Sequence, residues 1–128
     1  MMKKILIVDD QPTMRQIMRL ALWSQFEIQE ACDANTANEL IKVSRPDAIV
    51  LDVMMPGDMD GYQLCERIKQ DPELASIYIV LVTACGQVED QEKGMALGAN
   101  AYFVKPFSPL ELSRHLIAAL LTDPPSRD

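Results

Sequence analysis

Histidine occurs once in this chain of 128 residues, and its three cysteines are odd in number and far apart, so the soft ligands of a zinc site and the pairs of a disulfide framework are both missing. With His115 alone, a multi-histidine metal site and a Ser/His/Asp arrangement elsewhere are excluded. His115 falls in a periodic helical stretch and reads as a surface or boundary residue. Cys32, Cys65 and Cys85 form no C-x-x-C pair and read as buried thiols of a reduced, cytoplasmic protein. Glycine is scarce, at 5, and none follows the first apolar run, where Asp9-Asp10-Gln11-Pro12 stands instead of the glycine-rich turn of a flavin or dinucleotide module. No long hydrophobic run occurs near the start, because only four apolar residues separate Lys4 from Asp9. That is too short for a signal peptide or a membrane span, so no membrane partner is expected. Basic residues are in deficit, 12 against 19 acidic, for a formal charge of −7 with no basic run. Such a surface repels phosphate backbones, which argues against nucleic-acid binding by this domain alone.

What is present is ordinary globular material, 48% hydrophobic and 24% charged, in a chain long enough to bury one core without staples. Continuous runs of β-forming residues recur as Ile5-Leu6-Ile7-Val8, Ala48-Ile49-Val50-Leu51 and Ile77-Tyr78-Ile79-Val80-Leu81-Val82, the pattern of strands buried on both faces of a parallel sheet. Two weaker runs, from Phe26 to Glu30 and from Ala101 to Val104, read as sheet edges. Between them apolar residues repeat at three and four, as in Met14, Ile17, Met18 and Ala21, in Ala37, Leu40 and Ile41, and in Leu64, Cys65 and Ile68, each marking an amphipathic helix. Pro12 suits a first helical turn and Gly98 a left-handed cap; Ser108-Pro109-Leu110-Glu111 sets a capping serine, a first-turn proline and a reciprocating glutamate in register. The fourth helix, from about Gln87 to Leu97, has few large apolar residues and an interior Gly94, so it is expected to be the least firmly held. Residues 122–128 lack periodicity and read as a C-terminal tail or linker stub after one domain of residues 1–121. The order βαβαβαβαβα implies parallel strands, right-handed crossovers and helices on both sheet faces, with ligands beyond the carboxyl ends of the strands.

The residues at those strand ends carry the chemistry. Asp9 and Asp10 follow the first run, Asp52 the third, Thr83 ends the fourth and Lys105 follows the fifth. Three carboxylates and one ammonium leave two negative charges unbalanced, which a divalent cation with hard oxygen ligands would neutralise; Mg²⁺ is the natural choice because it keeps waters and binds phosphate. Singly, each residue has a plain reading: Asp9-Asp10 as a cap ahead of Pro12, Asp52 as a turn residue, Thr83 as a cap and Lys105 as a solvated side chain. Their coincidence at successive strand ends is what points to a site.

Through Ile7-Val8-Asp9-Asp10, Leu51-Asp52-Val53-Met54-Met55-Pro56, Asp60-Gly61, Val82-Thr83-Ala84 and Gly98-Ala99-Asn100-Ala101-Tyr102-Phe103-Val104-Lys105-Pro106-Phe107, the chain from about Lys3 to Leu121 resembles the receiver domain of bacterial two-component response regulators. The resemblance implies a flavodoxin-like, three-layer (βα)5 α/β fold with a five-stranded parallel sheet in the order 2-1-3-4-5. It implies a phosphoacceptor signalling domain rather than a turnover enzyme, in which Asp52 takes a phosphoryl group from a histidine kinase or histidine phosphotransfer protein. Asp10, Asp52 and the backbone carbonyl of Met54 would ligate Mg²⁺, with Asp9 acting through a metal-bound water and Mn²⁺ able to substitute. Lys105 would pair with phosphoryl oxygens, Thr83 would hydrogen-bond one of them, Tyr102 would be the aromatic switch, and the bond to Pro106 would be cis. A homodimer through helix 4, strand 5 and helix 5 and a downstream effector protein are the partners implied beyond the kinase.

Physically, an ionised carboxylate needs no general base to attack phosphorus once it is in line and the equatorial charge is neutralised. The rival readings differ in class. An aspartyl-nucleophile phosphatase of the dehalogenase type needs a second aspartate two residues on, where Met54 stands. A phosphorylation-independent pseudo-receiver that only binds partners usually lacks one of the five key residues, all of which are present. The loop Pro56-Gly57-Asp58-Met59-Asp60-Gly61 is one residue longer than the family's common pattern, and Asp60 reads as a helix cap rather than a metal ligand.

Overall fold

The computed structural model describes residues 2–84 and 87–121. The strands are β1 (Lys4–Val8), β2 (Glu27–Ala31), β3 (Ala48–Asp52), β4 (Tyr78–Thr83) and β5 (Ala101–Val104), and the helices are α1 (Pro12–Leu22), α2 (Ala34–Val43), α3 (Gly61–Gln70), α4 (Val88–Ala96) and α5 (Pro109–Leu120). They alternate, and the five strands form one sheet in the order β2-β1-β3-β4-β5. Every pairing is parallel, for instance Leu6 opposite Ile49 and Leu51 opposite Leu81.

Alternation of side chains across the sheet builds two cores. Leu6, Val8, Ile49, Leu51, Ile79 and Leu81 point to one face, where α2 and α3 contribute Ala37, Ile41, Leu64, Cys65 and Ile68. Ile5, Ile7, Ala48, Val50, Val80 and Val82 point to the other, where α1 and α5 contribute Met18, Leu22, Leu112 and Leu116. Burying such aliphatic side chains stabilises by about 1.5–3 kcal/mol each, so the three central strands anchor the molecule. At the edge, β2 is more polar: Ile28 packs on the second core while Glu30 takes ion pairs from Arg15 (3.1 Å) and Arg19 (3.0 Å) of α1.

Caps define the helix starts. Asp33 accepts from the Thr36 N–H at 2.7 Å ahead of α2. Asp60 closes a full capping box with Gln63 ahead of α3. Pro12 opens α1 behind a Gln11 cap that makes no side-chain bond. At α5 the Ser108 hydroxyl accepts from the Glu111 N–H at 3.3 Å, which is half of the expected reciprocal pair. Gly98, at φ 104°, turns the chain after α4 in the left-handed region that favours glycine.

Three readings are corrected here. Ile17 is 39% exposed despite its place in the helical repeat, because α1 turns its buried stripe along Met18 and Leu22 instead. Cys32 is exposed, since it lies past the end of edge strand β2 rather than within a core; Cys65 is buried. Gly94 is not merely a weak point. A Cβ there would meet Leu81 Cδ1 at 2.8 Å and the Tyr102 ring at 3.3 Å, so glycine lets α4 approach the sheet. Cys85 and the tail, residues 122–128, lie outside the described residues.

Candidate functional site

Four of the expected side chains converge at the carboxyl edge of the sheet. Asp9 follows β1 and is fully buried, Asp52 ends β3 at 4% exposure, and Asp10 is exposed beside them. One carboxylate oxygen from each of the three lies within 4.8 Å of the other two. Lys105, just past β5, brings its ammonium to 3.3 Å from Asp9 Oδ2 and 3.4 Å from Asp52 Oδ2. The Lys105–Pro106 peptide bond is cis.

Backbone groups fix the two buried carboxylates. Asp9 Oδ1 accepts from the Gln11 N–H at 2.8 Å, so Asp9 is not a side-chain cap for α1 but a brace for the chain entering it. Arg15 donates to the Asp9 carbonyl at 2.7 Å while its Nε holds Glu30, which ties this loop to β2. Asp52 Oδ1 accepts from the Met54 N–H at 3.1 Å, and the Met54 side chain stands 62% exposed. Electrostatically the pocket is short of positive charge. Burial, and then the charge of Asp9, pushes the Asp52 carboxyl above its ordinary value, against the opposing pull of Lys105 and the Met54 N–H. Three oxygen donors gathered around one ammonium suit a hard divalent cation such as Mg²⁺, which would relieve the repulsion between Asp9 and Asp52.

Thr83 ends β4 fully buried, and its carbonyl accepts from the Lys105 N–H at 2.7 Å, so the threonine and the lysine are tied across adjacent strand ends. Tyr102 sits on β5 opposite Leu81, on the α3 and α4 side of the sheet, half-buried. Its hydroxyl lies 3.4 Å from that of Tyr62.

Sequence reasoning missed three contributors. Arg15 carries no motif and sits at a polar position of the α1 repeat, yet it clamps the Asp9 carbonyl; the one hint in the sequence is the acidic Glu30 in the expected edge strand. Gly61 presses on the end of β3: a Cβ there would come to 2.3 Å from the Asp52 carbonyl oxygen. Tyr62 carries no motif of its own, because in the helical repeat it reads as one more apolar position. His115, half-buried, accepts or donates at 2.7 Å with the Tyr78 hydroxyl and packs edge-on to Phe103, away from the acidic pocket.

Comparison with known proteins points to one family. The family model described as "Response regulator receiver domain" matches residues 5–117. The chain is similar to the "Probable transcriptional regulator ycf27" of Guillardia theta, 41% identical over 120 residues, covering 92% of this chain and 45% of that protein. It is also similar to the phosphate regulon transcriptional regulatory protein PhoB of Pseudomonas aeruginosa, 40% identical over 119 residues, covering 92% and 52%. The chain thus spans about half the length of these relatives. Among solved structures it resembles the chemotaxis protein CheY4 of Vibrio cholerae, with TM-score 0.86 and 30% identity over 94% of this chain and 100% of that one. The BeF3-activated DrrB receiver domain superposes with TM-score 0.85 and 29% identity over 95% and 100%.

Proposed function

This chain belongs to the family of response-regulator receiver domains, and on that premise we propose that it is a phosphoacceptor signalling module in which Asp52 takes a phosphoryl group from a phosphohistidine of a kinase or phosphotransfer protein. The observation that carries the reading is the meeting of buried Asp9 and Asp52, exposed Asp10 and Lys105 at one sheet edge.

Asp10, Asp52 and the Met54 carbonyl would hold Mg²⁺, or Mn²⁺ in its place, with Asp9 acting through water. When bound, the ion supplies positive charge for the phosphoryl oxygens. An Asp52 carboxylate oxygen attacks phosphorus in line, forming an O–P bond as the donor's N–P bond breaks and its electron pair returns to the imidazole. Lys105, already balanced between Asp9 and Asp52, swings its ammonium toward the transferred group. The Thr83 hydroxyl hydrogen-bonds a phosphoryl oxygen, and Tyr102 responds to that move by changing its packing against α4. Phosphorylation replaces one charge with about −2 and adds acceptor oxygens, which is the drive for this rearrangement. The output is a changed α4, β5 and α5 face, where Val88, Met95, Val104 and Leu110 are exposed, for self-association or a downstream effector. The setting is cytoplasmic, among kinases and effectors of the same compartment; no helix among the described residues is long and apolar enough to cross a membrane.

The test is intact-mass measurement after incubation with a small phosphodonor. One phosphoryl group is expected, only with Mg²⁺ or Mn²⁺, and none in Asp52→Asn. Undiminished labelling of that variant would refute the assignment, and no labelling of the parent would favour a phosphorylation-independent interaction module.

A further inference from the structure

Helix α4 has little apolar anchorage. Among Val88–Ala96 only Gly94 is buried, and the Gln87 cap makes no side-chain bond. Leu81 and the Tyr102 ring lie against Gly94, and from the α3 side α4 is met by Tyr62, the second residue of α3. The Tyr62 hydroxyl donates to the Asp90 carbonyl at 3.2 Å, and the Lys93 ammonium lies 4.4 Å from the centre of its ring. Its hydroxyl also lies 3.4 Å from that of Tyr102, a contact in which either oxygen can donate. One side chain, 8% exposed, thus touches the first turn of α4, its middle and the switch tyrosine.

The other end of this connection is the acceptor strand. Gly61, adjacent to Tyr62, donates its N–H to the Val53 carbonyl at 3.1 Å, and a Cβ at Gly61 would fall 2.3 Å from the Asp52 oxygen and 2.8 Å from Val53 Cα. Backbone therefore lies on backbone, with no side chain to absorb a displacement. A shift of the strand end at Asp52 moves the start of α3 directly.

We infer that Tyr62 is a positioning residue that ties α4 and Tyr102 to the acceptor strand through α3, a route separate from the one through Thr83. The inference rests on reading Asp52 as the phosphoacceptor and adds how its state is passed on. Before phosphorylation Tyr62 holds α4 and Tyr102 in one arrangement. Once Tyr102 repacks, its hydroxyl leaves Tyr62 and the hold on α4 weakens.

The experiment is amide hydrogen exchange on the full chain, with and without beryllofluoride and Mg²⁺, in the parent, Tyr62→Phe, Tyr102→Phe and the double variant. Tyr62→Phe keeps the ring and the Lys93 contact and removes the hydroxyl. Exchange across Val88–Ala96 should rise roughly twofold to tenfold without beryllofluoride, the range for losing a net hydrogen bond or two, while α2 stays as in the parent. The double variant should exchange more slowly than the product of the two single effects, because both remove the same hydroxyl contact. With beryllofluoride the further change in α4 should be less than half that of the parent, and phosphoryl incorporation at Asp52 should be unaltered. Unchanged α4 exchange in Tyr62→Phe, equal loosening of α2, or full multiplication in the double variant would each overturn the inference. Absent labelling and no beryllofluoride effect in the parent would instead sink the phosphoacceptor reading, and the comparison without beryllofluoride still decides whether Tyr62 holds α4.

Discussion

Replacing Gly61 by alanine is a sharp test of how the end of β3 is packed, because the new methyl would meet main chain rather than side chain. It would lie 2.3 Å from the Asp52 carbonyl oxygen, 2.8 Å from Val53 Cα and 3.0 Å from the Asp52 carbonyl carbon. A comfortable carbon–oxygen approach is about 3.3 Å, so α3 must lift by roughly 1 Å. Neither side can yield cheaply. Asp52 is paired in the centre of the sheet opposite Val82, and the lifted helix carries buried Tyr62, Leu64, Cys65 and Ile68 with it. Overpacking of this kind costs about 1–3 kcal/mol, and a helical glycine-to-alanine change returns at most about 1 kcal/mol. The net expectation is about 1–2 kcal/mol of destabilisation, a fall in Tm of roughly 3–10 °C for a domain of this size. Gly57→Ala is the comparison. Gly57 has φ 112° but nothing within 4 Å, so it incurs backbone strain without a clash, and should cost about 1 kcal/mol. Urea unfolding followed by circular dichroism measures both, and labelling by a small phosphodonor should be slower in Gly61→Ala. If Gly61→Ala is as stable as the parent, α3 does not press on the end of β3.

Two further outcomes follow from caps and burial. Asp33→Ala should lose about 1 kcal/mol at neutral pH. The bond from the Thr36 N–H lowers the Asp33 carboxyl, so the advantage of the parent should be present above the unfolded carboxyl value of about 3.9 and fade as pH falls through the lower folded value; an advantage independent of pH in urea titrations would contradict the cap. Burial pushes the Cys65 thiol up to about 11, leaving roughly a hundredfold less thiolate at pH 8 than an ordinary thiol has. Native protein treated with iodoacetamide should therefore be modified at exposed Cys32 and not at Cys65, which should react only on unfolding; equal modification in peptide mass maps would contradict the core placement.

The sheet was legible because its central strands are unbroken β-forming runs, and Asp9, Asp10, Asp52 and Lys105 followed from counting one or two residues past each run. Strand order came from resemblance, since five similar parallel strands do not announce their neighbours. Local pattern failed where a third dimension decides. Ile17 satisfies the helical repeat but lies at the margin of the buried stripe of α1. Cys32 is a thiol like Cys65, yet one ends an edge strand and the other faces the core. Gly94 reads as a flaw in a helix until Leu81 and the Tyr102 ring are set beneath it. Gly61 and Tyr62 follow an aspartate cap, and nothing in their spacing tells that one rests on the Asp52 carbonyl while the other reaches α4. Arg15 reads as solvent-facing because its two partners, the Asp9 carbonyl and Glu30, are brought together only by the β1-β2 pairing.

The central claim is that the phosphoryl group is carried by Asp52 as an acyl phosphate, and borohydride trapping tests it most directly. Reduction converts an aspartyl phosphate to homoserine, whose position is read by peptide sequencing in a mass spectrometer. After incubation with a small phosphodonor and Mg²⁺, homoserine is predicted at position 52, with Asp9 and Asp10 unaltered and no conversion when the divalent ion is chelated. Homoserine at Asp9 or Asp10, or a phosphorylated chain that yields none and retains the group on His115 or a hydroxyl side chain, would contradict the account.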